Sequence, residues 1–109
     1  TAEIVENPTV DMIKSELLAG RPVIAPLNGF ILDNPHIPFL ATGSGYHMLV
    51  IVGYDDVIGH FITHDDGDLV TGEFHRYKYD HFLNSIHDYD SATKKTDGPR
   101  RVLFTSSKN

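Results

Sequence analysis

Two short apolar runs joined by an acidic turn constrain this chain more than any other feature. Residues 46–67 read YHMLVIVGYDDVIGHFITHDDG, with His47 opening the first run and Asp65 following the second. Such a pattern folds as an antiparallel hairpin, and a hairpin centred on Asp56 sets Asp65 directly opposite His47. Opposed residues share a face, with Cβ atoms about 4.5–5.5 Å apart, so a carboxylate there can accept a hydrogen bond from an imidazole N–H. That contact orients a histidine and stabilises its charged form in nucleophilic catalysis. A slip of one residue presents Asp66 instead, so His47 and Asp65 are the candidate pair and Asp66 the alternate.

The flanking chain supplies a sheet and two helices. Residues 1–6 read as an extended lead-in, with Ile4 and Val5 at a sheet edge. A helix is expected over 9–19: Asn7-Pro8 or Thr9 caps its start, Val10, Ile13, Leu17 and Leu18 recur at helical spacing, and Gly20 suits a left-handed C-terminal cap. Strand 23–27 is bracketed by Pro22 and Pro26, which favours an edge or a strand end. Strand 47–54 is apolar on both faces, as a buried central strand is. Strands at 59–64 and 73–78, a helix over 79–88 carrying Phe82, Leu83 and Ile86, a polar loop at 91–99 and a last strand over 101–105 complete the order. The fold class is therefore α+β, an antiparallel sheet with two flanking helices, and the 109 residues form one domain.

Residues 28–45 mix Gly29, Pro35, Pro38, Gly43 and Gly45 with Phe30, Ile31, Ile37, Phe39 and Leu40. An apolar loop this long in a small domain is a candidate wall of a binding cleft. Composition narrows the function further. A formal charge of −6 repels phosphate backbones, so nucleic acid is not an expected partner, and no apolar run approaches the roughly 18 residues of a membrane span. No pattern fixes the compartment.

Seven histidines raise the question of a metal site, with His64, Asp65, Asp66 and Asp68 the densest group. Zinc-ligand spacing is missing, and Asp66-x-Asp68 does not continue as a calcium loop, so no cofactor or metal is implied. His60 and His64 read as facing outward on a strand, and His36, His75, His81 and His87 as solvated.

Taken together, Gly20-Arg21-Pro22-Val23-Ile24, the strand from Tyr46 through Gly53-Tyr54-Asp55, the segment from Phe61 to Gly67 and the aromatic helix after it resemble the C-terminal half of papain-like cysteine peptidases. The nearest branch is the bacteriocin-processing (double-glycine) peptidase-like group. The resemblance spans roughly residues 9–105 and implies that His47 is the catalytic base and Asp65 the residue that orients it. This chain has His64 and Asp66 where that group usually has asparagine and proline. It also has no cysteine, and no counterpart of the half that carries the nucleophile and the oxyanion glutamine.

Three functional readings follow. The chain is the His/Asp lobe of a papain-like hydrolase whose Cys lobe lies elsewhere, inactive alone and acting on peptides when complete. Alternatively it is a non-catalytic module holding a peptide or glycan, or a His/Asp metal-binding domain. Ser44, three residues before His47, is an alternate nucleophile, although it lacks the strand-to-helix elbow that exposes a reactive serine. A start without methionine is the further expectation of a processed or divided protein. Half a domain leaves apolar strand surface uncovered, which predicts self-association or a missing N-terminal lobe as partner.

Overall fold

The computed structural model describes residues 2–33, 45–64 and 75–105. Strands β1 (Ala2–Glu6), β2 (Val23–Asn28), β3 (Tyr46–Asp55), β4 (His60–His64), β5 (His75–Lys78) and β6 (Arg101–Thr105) form one antiparallel sheet in the order β1-β6-β2-β3-β4-β5. Three helices accompany it: α1 (Val10–Leu18), α2 (Gly29–Leu32) and α3 (Tyr79–Ser85). The α+β class holds, with the short α2 added inside the stretch read as a loop.

Local chemistry sets the helix ends. Thr9 is the N-cap of α1, its hydroxyl accepting from the Met12 N–H at 3.2 Å, while Asn7 stands outside at φ 51°. Gly20 takes φ 83° and donates its N–H to the Leu17 carbonyl, the left-handed ending that only glycine adopts freely. Asn28 starts α2, its side-chain oxygen accepting from the Phe30 and Ile31 N–H groups. Helix α3 stops at Ser85, short of the expected 88. Ile86 turns extended and bridges Leu27, exchanging a helical turn for a place beside β2.

Strand β2 corrects the expectation of an edge. It pairs with β3 along its whole length and with β6 at Val23 and Ile24, so it is central. Pro26 is tolerated because its carbonyl faces the 86–87 segment, accepting from the His87 N–H at 3.2 Å. A strand residue turns its nitrogen and carbonyl to the same neighbour, so the missing donor is lost from that short bridge and not from the β3 ladder.

The hairpin register also differs from centring on Asp56, which would set Val50 against Ile62. The ladder pairs Val50 with His64 and Ile51 with Thr63, then, across a bulge, Gly53 with Ile62 and Asp55 with His60. The turn is the four residues 56–59, because Gly59 at φ 70° donates to the Asp55 carbonyl while the Asp55 side chain accepts from the Val57 N–H. The bulge inserts Val52, which lets Ile51 and Tyr54, three residues apart, face the same side.

That side is the core. Val23, Ala25, Leu27, Leu49, Ile51 and Phe61 are closed over by Ile13 of α1 and Phe82 of α3. Phe82 meets Phe61 edge-on at 5.7 Å between ring centroids and lies the same distance from Tyr77. Among the described residues no helix covers the opposite face: Met48 is 49% and Val52 40% exposed, which corrects the expectation that β3 is buried on both sides. Both long helices therefore lie on one face of the sheet.

Candidate active site around His47

His47 is the second residue of β3, half-buried, and opposite Leu27 of β2. Alternation along the strand places it on the helix-covered face with Leu49 and Ile51. Its row continues through fully buried Leu27 to fully buried Ile86 on the far side.

The other three sequence candidates, Asp65, Asp66 and Ser44, lie outside the described residues. Beyond the bulge the hairpin is offset by two residues from the register that set Asp65 against His47. An even offset retains the face of each side chain, whereas an odd one reverses it. The last described rung is Val50 with His64. The cleft wall proposed at 28–45 resolves into α2 over Gly29–Leu32, while residues 34–44 are likewise outside the described set.

Around the site, polar side chains fix the backbone. The Asn28 amide donates to the Thr96 carbonyl at 2.9 Å, tying the end of β2 to the 90–97 turn while the same side chain caps α2. At the other end of the hairpin, Lys14 reaches Asp56 at 2.8 Å and lies 5.1 Å from the Tyr54 ring centre, and the Tyr79 hydroxyl donates to Asp56 at 2.6 Å. The hydrogen bond from Lys14, then that from Tyr79, holds the Asp56 carboxyl below its ordinary range. Burial, reinforced by Asp56, raises the Tyr79 hydroxyl well above its own. This latch joins α1, the hairpin turn and α3. Sequence gave no pointer to it, since its members are 23 or more residues apart except for Tyr54 and Asp56.

The histidines divide. His81 donates from Nε2 to the Leu32 carbonyl at 2.8 Å and His87 from Nδ1 to the Gly98 carbonyl at 2.9 Å, because a carbonyl can only accept. Both were expected to be solvated, and both are structural ties. His60 buries Nδ1 without a partner. Among the described residues no three histidine or acidic side chains come together to hold a metal ion.

The chain belongs to the Peptidase_C39 like family, whose model matches residues 2–96. A comparison with curated proteins finds no match. The chain is thus a peptidase-related domain with no thiol of its own.

Proposed function

We propose that this chain supplies the base and its orienting carboxylate, His47 and Asp65, to a Cys-His-Asp peptidase site and does not cleave peptides by itself. The observation that carries the reading is His47's place: half-buried on the helix side of β3, in a family of peptidase relationship, in a chain without cysteine. Thiol attack on a peptide carbonyl needs an ionised sulfur, a base that returns the proton to the leaving amine, and donors for the oxyanion. The base and orienter are here; the sulfur and the oxyanion side chain come from outside these residues. Asp66 replaces Asp65 if the strand slips by one, and Ser44, three residues before His47 in the sequence, is the alternate nucleophile.

The sheet supports a second partner relation. His47 shares its face with Leu49, so a thiol must arrive on the helix side, and a lobe covering the open face would not deliver one. We assign that open face, in this chain alone, to self-association.

A peptide mixture incubated with the chain, and with the chain plus a Cys-bearing lobe from a related peptidase, tests the reading by mass spectrometry. Cleavage is expected only in the second case and only with His47 intact. Cleavage by the chain alone that disappears in His47→Ala would overturn inactivity and redirect attention to Ser44. Should cleavage be absent in both cases while peptides still bind, the non-catalytic binding module takes its place.

A further inference from the structure

A cavity of about 400 Å³ opens between the β1–α1 junction, α3 and the start of β6. Its polar lining, Asn7, Asp80, Asn84 and Arg100, is exposed at the surface, beside half-buried Leu83. Arg100 and Asp80 carry opposite charges in one cavity and do not pair: among the described residues neither side chain takes part in a hydrogen bond or ion pair, and the carboxamides of Asn7 and Asn84 are equally uncommitted. The backbone beneath them is fixed, with the Asn7 N–H donating to the Arg100 carbonyl at 2.7 Å and Asn7 held at φ 51°.

We infer that this cavity binds the carboxy-terminal end of a peptide that carries a basic terminal side chain. Guanidinium groups grip carboxylates bidentately, and two carboxamides beside one supply the donors and acceptors a terminal peptide unit needs. Asp80, apart from Arg100, is free for a cation on the same ligand, and the aliphatic stem of a lysine or arginine lies on Leu83.

Leu27 and Ile86, which stand between the cavity and His47 in the sheet register, are fully buried, so the cavity is a site separate from the candidate base.

Amide chemical-shift titration of the chain with acetyl-Gly-Gly-Lys, the same peptide as a carboxamide, and acetyl-Gly-Gly-Glu tests the inference. The free-acid lysine peptide should give saturable shifts at Asn7, Asn84, Ile86 and Arg100, and the other two should bind about tenfold more weakly. Arg100→Gln should erase the preference for free acid over carboxamide, and Asp80→Asn the preference for lysine over glutamate. His47→Ala should leave all of this unchanged, so failure of the cleavage reading and failure of the cavity are separable. Equal affinity for acid and carboxamide, shifts that map elsewhere, or no saturation at all would overturn it; the carboxamide comparison needs no variant and is immune to misfolding.

Discussion

The two faces of β3 are built from similar residues and meet different surroundings. Leu49 and Ile51 are 1% and 0% exposed beneath α1 and α3; Met48 and Val52, one position along, are 49% and 40% exposed. The open side is not an isolated exposed residue or two. Register sets Ile4 against Leu103, Leu103 against Ile24, and Ile24 against Val50, so one apolar row crosses four strands on that face. Hydrophobic patterning alone specifies that such residues are poor company for water; which face is sealed depends on where the helices land. His47 rides on the sealed face, which ties the candidate chemistry to the helix side and leaves the other face for contacts.

Removing a large side chain from each face sharpens the contrast most. Phe61→Ala empties a site where three aromatic rings from β4 and α3 meet, and should cost about 3–5 kcal/mol in urea unfolding. Met48→Ala should change stability by no more than about 0.5 kcal/mol. Comparable losses from the two would mean that the open face is covered within the folded chain.

Association comes next in size. Light scattering on the chain should show an average mass that rises with concentration, and Met48→Asp combined with Leu103→Asp should return it to a monomer without lowering stability. A monomer at high concentration in the unaltered chain would break the assignment of the open face.

The smallest effect is electrostatic. Arg21 forms two hydrogen bonds to Glu16, at 2.9 and 3.2 Å, and holds its carboxyl below the ordinary range. A depressed value in the folded state adds stability above the unfolded value, near pH 4, and loses it as pH falls through the folded one. Between pH 5 and about 3 the chain should therefore lose stability more steeply than Glu16→Gln does, by an amount small beside the core variants. An identical pH dependence in the two proteins would show that the pair contributes nothing.

How far the sequence reached can be judged residue by residue. The Thr9 cap, the Gly20 ending and the placement of His47 at a strand start were legible because each depends on neighbours in the chain. The hairpin register was misread because Gly59, not Asp56, closes the turn, and because an inserted Val52 shifts the count. Pro26 argued for an edge, yet Ile86 and His87 absorb its missing donor from across the fold. The latch of Lys14, Asp56 and Tyr79, and the cavity around Arg100 and Asp80, join residues far apart in sequence, and no local spacing encodes such a meeting.

The pairing of His47 with Asp65 is the claim on which the proposed chemistry turns, and imidazole N–H resonances read it directly. A carboxylate that accepts from His47 gives that N–H a downfield, slowly exchanging signal. Asp65→Asn should remove the signal while Asp66→Asn keeps it. A His47 signal indifferent to Asp65→Asn, or lost only in Asp66→Asn, would contradict the assignment of Asp65 as the orienting carboxylate.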